Sequence, residues 1–365
     1  MNTLNVYQRE YKDLKTEIDT KVQAVCSSGR YILGKEVEDF EKTFAQYLGV
    51  KEVIGVGNGM EALEIGMMAL GIGKGDEVIT TSLSAVATTL AITSLGATPV
   101  FVDIDDYFHT DAERIEKSIT KKTKAILPVH LYGQAVDMEK INSIAKTYGL
   151  FVFEDACQGH GATYKKKKLG TFGVFGAFSF YPTKNLGCYG DGGAIATDDE
   201  KFADMCRSLR NYGQKDRYVH QYCGLNSRLD EMQAGILRVK LPYLDAWSDK
   251  RSLIAKQYAS LLEGVGDVQI PEERPNAKHI YHQYVVRTQK RDALLSYLQD
   301  HGIQALIHYP IPIHKQPCYE HYNAVTLPVT EKSCHEIMSL PIHPYMTEDE
   351  IVHVTEIIKT FFGSL

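Results

Sequence analysis

Residues 150 to 162 read LFVFEDACQGHGA. Four apolar residues, two of them phenylalanine, run without a polar interruption, as in a strand covered on both faces. The run stops at two acids, Glu154 and Asp155, and Gln158 and His160 follow just beyond. In open α/β sheets ligands collect outside the carboxyl ends of the strands, so a carboxylate there stands at a binding edge. Taken alone, Asp155 also reads as a strand-end aspartate that caps the next turn.

Similar runs recur on both sides: EVIGVG (52 to 57), EVITTS (77 to 82), TPVFVDI (98 to 104), KAILPVH (124 to 130), GAFSFY (176 to 181) and GGAIATD (192 to 198). Amphipathic stretches between them predict helices over 60–70, 85–95, 111–118, 137–148 and 200–210. Strands alternating with helices predict crossover connections and a doubly wound, mostly parallel sheet. Further on, a helical pattern over 228–262 holds Pro242, where a kink or break is expected. GVGDVQIPEERPNAKH (264 to 279) reads as a loop, and then come a strand YHQYVVRT, a helix over 291–301, a strand IQALIHY and a last helix EDEIVHVTEIIKTFF. The expected organisation is a large domain over 1–240, opened by an N-terminal helical segment, and a smaller C-terminal α/β domain over 241–365, with the long helix as the hinge.

At 365 residues with 44% hydrophobic and 24% charged content, the chain is long enough for a sizeable core and has no disordered or fibrous signature. A net charge of -6 argues against nucleic-acid binding, which requires a basic excess to neutralise phosphates. The basic run KKKK (165 to 168) reads as a solvated hairpin turn. MNTLNVYQREYKDLK lacks the apolar core of a secretory signal, and no stretch approaches the roughly 18 apolar residues of a spanning helix. The 7 cysteines are odd in number and never form C-x-x-C, which fits reduced thiols in the cytoplasm. No H-E-x-x-H or similar spacing occurs among the 13 histidines, so no metal is predicted.

Lys184 lies in AFSFYPTKNLGCYGDGGAI (177 to 195), between Pro182 and Gly187 and shortly after Ser179. An isolated lysine is ordinarily a surface charge. One held on a constrained turn after an apolar strand is placed to lose solvent, and a desolvated amine can form a Schiff base with an aldehyde. A lysine on an aldehyde carbon and an aspartate on a pyridinium nitrogen are the two protein groups that pyridoxal phosphate (PLP) requires. GVGNGMEAL adds a phosphate cradle, with Gly57, Asn58 and Gly59 leading into a helix at Met60 and Glu61 whose first N–H groups can hold a dianion.

Through SSGRYILGKEVEDFEKTFAQYLGV, GNGMEALEIGMMALGIGKGDEVI, GATPVFVDID, PVHLYGQAVDM, EDACQGHGA, FSFYPTKNLG, GDGGAI, GLNSRLDEMQA and IHYPIPIHKQPCY, the chain resembles the PLP-dependent nucleotide-sugar aminotransferases of the DegT/StrS type, which have the fold type I architecture. The resemblance implies that Lys184 bonds covalently to the cofactor, that Asp155 pairs with the pyridine nitrogen and that Gln158 contacts the ring hydroxyl. It implies that Ser179 and the backbone of Gly59 and Met60 bind the phosphate, and that Asn226 reaches it from a partner subunit in a homodimer with shared active sites. His160, Tyr181, Tyr212, Arg228, His308 and Tyr309 are implied near the nucleotide sugar, although buried polar aromatics often only satisfy hydrogen bonds. Met60 stands where many members carry threonine, and Ala85 where many place an aromatic to stack on the ring. The branch most resembled acts at C3 of dTDP-3-keto-6-deoxyhexoses, with glutamate as amino donor. The alternatives are a C4 aminotransferase on a dTDP-, UDP- or GDP-linked 4-keto sugar and a non-catalytic PLP-binding regulator. Relatives with histidine in place of the lysine are dehydratases, and Lys184 disfavours that chemistry. A dinucleotide-binding oxidoreductase would need a third glycine that GVGNGM lacks.

Overall fold

All seven apolar runs form strands, because Val, Ile and Phe on short segments covered on both faces favour extended backbone. They are β1 (Glu52–Val56), β2 (Glu77–Thr81), β3 (Thr98–Val102), β4 (Thr123–Ile126) and β5 (Phe151–Asp155), then, after a hairpin of β6 (Thr163–Tyr164) and β7 (Lys167–Lys168), β8 (Phe175–Ser179) and β9 (Gly193–Thr197). The structure is a computed structural model and describes residues 4 to 363. One 7-stranded sheet has the order β1-β9-β8-β5-β4-β2-β3. Only β9 runs against its neighbours, pairing antiparallel with β1 and β8, while β5 pairs parallel with β4 and β8. Val78, Ile79, Ile126 and Phe153 are fully buried between the helical layers. Helix α3 (Gly59–Ala69) covers one face through Ala62, Leu63 and Ile65, and Met138–Tyr148 covers the other through Met138, Ile141 and Ile144.

Two helices precede the sheet: α1 (Leu4–Ser28) and α2 (Lys35–Leu48). Gly34, at the start of α2, has no side chain to cap the helix. Buried Glu231 caps it instead, accepting from the N–H groups of Gly34 (2.8 Å), Glu36 (3.0 Å) and Val37 (3.0 Å). The carboxylate also opposes the positive end of the α2 dipole. Helix α1 packs Leu14 and Ile18 on Ile236 and Trp247, and its Arg9 pairs with Glu350 of the last helix.

Pro242 falls in a 3₁₀ turn, Leu241–Tyr243, that separates the helices Glu231–Lys240 and Leu244–Leu262, so the expected break is present. Beyond it, Tyr258, Tyr284, Leu294, Leu298, Ile351 and Ile358 form a second apolar core. The small sheet differs from the expectation. IQALIHY forms no strand, and Leu306 makes only an isolated bridge to Ser339. Ile337–Leu340 pairs antiparallel with Tyr284–Arg287 in its place. Buried IMSL is too short to show a period, so its chain context decided between helix and strand. The lysine run is a hairpin turn through Lys165 and Lys166 at positive φ (49° and 67°). Its second half is less solvated than expected, since the Lys168 ammonium lies 3.7 Å from the centre of the Tyr47 ring. Among the described residues no helix is long and apolar enough to cross a membrane.

Candidate active site

The carboxyl ends of β1, β2, β5 and β8 open on one cavity. Gly59 and Met60 line it after β1, Ser84 and Ala85 after β2, Asp155 at the end of β5 and Ser179 at the end of β8. Helix α3 begins at Gly59 with Asn58 as its cap, whose side chain accepts from Glu61 N–H at 2.9 Å. Ala62 N–H returns to the Asn58 carbonyl. Among the described residues, the N–H groups of Gly59 and Met60 therefore have no acceptor, and they are two free donors at a helix start. A Cβ on Gly59 would lie 2.7 Å from both Ser179 Cβ and Cys157 Sγ, so only glycine lets the start of α3 approach the end of β8 this closely.

Asp155 is buried and held at both oxygens. Its Oδ2 accepts from Thr88 Oγ1 at 2.7 Å, and its Oδ1 from Cys157 N–H at 3.1 Å. Ser84 Oγ lies 2.9 Å from Thr88 Oγ1 and extends the chain of hydroxyls. Glu154, one residue earlier, points the other way into the fold. It accepts from Gly170 N–H (2.8 Å), Gly173 N–H (2.9 Å) and His130 Nε2 (2.9 Å), which anchors the end of β5 from behind. Strand alternation accounts for the division, with one acid in the cavity and the next in the core.

Lys184 sits in a turn closed by its own N–H to the Tyr181 carbonyl at 2.8 Å. The backbone is packed too tightly there for freedom, since a Cβ at Gly187 would stand 2.5 Å from the Pro182 carbonyl oxygen. The Lys184 side chain lines the cavity, and among the described residues its amine has no hydrogen-bond partner. Burial lowers its pKa from the ordinary lysine value, opposed by the nearby Cys157 and Asp155. An amine that loses its proton more readily is a better nucleophile and base at neutral pH.

Gln158 is fixed at both ends of its amide, accepting from Tyr132 N–H at 2.7 Å and donating to Tyr309 Oη at 3.2 Å. Burial first, and then Asp155, push the Tyr309 phenol up to about 12. Tyr181 lines the cavity and is half-exposed. His308 stands on an adjoining wall, with Nδ1 2.9 Å from Ser339 Oγ. The structure does not bring the other candidates in. His160 is fully buried between Phe178 and Phe180, at ring distances of 5.6 and 5.8 Å, and it lines neither side of the site. Exposed Asn226 bridges to Asn211, and Arg228 bonds Asn211 Oδ1 at 3.0 Å and stacks over Tyr212, all outside the cavity of their own chain. The sequence reading missed Thr88 and Ser84. Their signal is a pair of hydroxyls just past a strand end, and the apolar residues around them in SLSAVATTLAI hide it.

The arrangement offers two free amides and a serine hydroxyl for a dianion, a buried carboxylate for a ring nitrogen and a desolvated amine for an aldehyde. These fit the three reactive groups of PLP. A family model described as the DegT/DnrJ/EryC1/StrS aminotransferase family matches residues 12–359. A pleiotropic regulatory protein of Geobacillus stearothermophilus is 47% identical over 358 residues, covering 97% of this chain and 96% of its own. A dTDP-3-amino-3,6-dideoxy-α-D-galactopyranose transaminase of Aneurinibacillus thermoaerophilus is 46% identical over 346 residues, covering 94% and 95%. Among solved structures, Streptomyces venezuelae DesV in complex with a ketimine intermediate superposes with a TM-score of 0.95 at 42% identity, covering 97% of this chain and 96% of that one.

Proposed function

The chain belongs to the DegT/DnrJ/EryC1/StrS aminotransferase family, and on that premise we propose that it is a PLP-dependent transaminase of a nucleotide-linked keto sugar. Its substrate on this reading is a dTDP-3-keto-6-deoxyhexose, its donor glutamate, and its products a 3-amino-3,6-dideoxyhexose nucleotide and 2-oxoglutarate. The observation that carries the reading is the meeting of Lys184, Asp155 and the unpaired amides of Gly59 and Met60 on one cavity. The name of the A. thermoaerophilus relative supports amination at C3.

When bound, PLP supplies an aldehyde that carries the amino group and a ring that takes up the electron pair left on the substrate carbon. Asp155, oriented by Thr88 and Cys157 N–H, would keep a proton on the ring nitrogen. Gly59, Met60 and Ser179 would hold the phosphate, and Gln158, fixed by Tyr132 and Tyr309, would contact the ring hydroxyl. Lys184 Nζ takes the proton from Cα of glutamate and, in the second half of the cycle, delivers one to C3 of the sugar. Asn226 of the partner subunit completes the phosphate site in a homodimer, with Tyr212 and Arg228 beside it. Tyr212, beside Asn226 in this reading, is exposed in the single chain, as a residue covered by a partner would be. Residues 1–240 form the cofactor-binding unit and 241–365 the smaller one, in a cytoplasmic protein.

The name of the G. stearothermophilus relative favours a second reading, a PLP-binding regulator that shows cofactor absorbance without turnover. Protein loaded with pyridoxamine phosphate, incubated with 3-keto and 4-keto nucleotide sugars and read by mass spectrometry, separates the two. Nitrogen gained by a dTDP-3-keto sugar is expected. Amination of 4-keto sugars alone moves the reacting carbon, and amination of none leaves the regulator.

A further inference from the structure

A second cavity adjoins the first, and Lys184 stands in the wall of both. Helix α1 closes it through Tyr7 and Glu10, and the C-terminal part supplies Arg251, His282 and His308. Nothing in the mechanism above uses this space.

Arg251 is its unusual member. The side chain is 8% exposed. One arm, Nη1, donates to the carbonyls of Tyr281 (3.1 Å) and Ile342 (2.9 Å). Among the described residues no carboxylate bonds directly to it; Glu10, on the same wall, pairs with Lys240 and attracts the guanidinium only at longer range. A buried guanidinium without a counter-ion is costly, and burial pulls this one down to about 10, still charged at neutral pH. His282 and His308 add no competing charge, because burial holds both below the ordinary histidine value. Arg251 therefore brings a positive charge to the wall of a cavity that reaches the reactive amine.

We propose that this cavity receives the amino donor and that Arg251 binds its distal carboxylate, so that Arg251 sets the preference for a dicarboxylic amino acid. The inference rests on the transaminase reading above. A planar guanidinium matches one carboxylate, bidentate. A nucleotide diphosphate carries more charge than one guanidinium offsets.

The wall carries its own reporter, since Trp247 is the only tryptophan in the chain and lines the cavity, stacked on Tyr243. PLP-loaded protein is titrated with glutarate, butyrate, dTDP and inorganic phosphate while Trp247 fluorescence is followed. Glutarate is expected to give a saturable change, and butyrate one at least tenfold weaker, from the loss of a charge-assisted pair. Arg251→Gln is expected to weaken glutarate binding about 10- to 100-fold and to erase the preference for glutamate over norvaline. Because Nη1 also ties two carbonyls, Arg251→Lys serves if the glutamine variant fails to fold, and it is expected to keep the preference with weaker binding. A folded Arg251→Gln variant with the wild-type glutarate response overturns the proposal, as does a response to dTDP or phosphate in place of glutarate. If wild-type protein binds glutarate but aminates no sugar, the transaminase reading fails alone. If it aminates sugars while Arg251→Gln still prefers glutamate, the cavity assignment fails alone.

Discussion

Lys184 has to be an amine that can lose its proton, and that requirement separates it from any other cation. Lys184→Arg keeps length and charge but installs a group that does not deprotonate. Turnover is expected to fall by roughly 10²- to 10⁴-fold or more with the fold intact, as shown by circular dichroism. Borohydride reduction of the wild type should leave pyridoxyl mass on the peptide bearing Lys184, and the variant should show none; retained turnover in the variant sinks the assignment. Thr88→Val preserves shape and removes the hydroxyl on Asp155 Oδ2. A buried acceptor left short of a donor is expected to reduce stability by about 1–3 kcal/mol in urea titration and to slow turnover. Lys184 and Asp155 are readable from sequence because each follows an apolar strand. Thr88 is not, because its role exists only through the approach of α4 (Val86–Ser94) to the end of β5.

At the level of elements, the ends of helices depend on residues far away in the chain. Glu231 supplies the acceptors for α2. Glu231→Ala leaves three N–H groups without it, and unfolding in urea is expected at a stability lower by roughly 2–4 kcal/mol. An unchanged midpoint and slope would remove Glu231 from that role. Glu350 ties the last helix to α1, accepting from Arg9 Nη1 at 3.0 Å and Nη2 at 2.7 Å. The Arg9 hydrogen bond, aided by Thr347 N–H, lowers its pKa to about 2. The folded value lies below the unfolded one of about 4.3. The contribution is therefore complete above the unfolded value and is lost as pH falls toward the folded one. Acid unfolding of Arg9→Met, compared with wild type, should lose this slope between those two values; equal curves would show that the pair adds nothing. The break at Pro242 was legible because proline cannot stay inside a helix. The strand Ile337–Leu340 was not, because four buried residues carry no period and the partner Tyr284–Arg287 is about fifty residues away in sequence.

Across the whole molecule, α1 packs on Trp247 from one side and pairs with Glu350 on the other, and so closes the second cavity over Lys184. Arg228 bonds Asn211 and stacks over Tyr212, and neither these residues nor Asn226 line the cavity of their own chain. On the proposed homodimer, inactive Lys184→Ala and Asn226→Ala chains refolded together should give hybrids with about half of wild-type activity, and a statistical mixture with about a quarter, because one of the two hybrid sites then holds both native residues. Mixtures that stay inactive while sedimenting as dimers would show that the sites are not shared.

The strand runs and the glycine turn determined the sheet, its seven strands and the edge on which the chemistry stands, because burial on both faces demands unbroken apolar segments and a strand end must release its polar residues. Sequence alone also placed the lysine, the acid and the phosphate turn, since each requires a residue type that stands out against its neighbours. Which groups converge on them was decided by tertiary structure. Thr88 on Asp155, Glu231 on α2, Tyr309 on Gln158 and Arg251 opposite Lys184 are separated by tens to hundreds of residues, and no local periodicity encodes such a meeting. The burial of His160 is of the same kind, because a histidine next to an active-site strand reads alike whether its ring turns toward the cavity or into the aromatic layer.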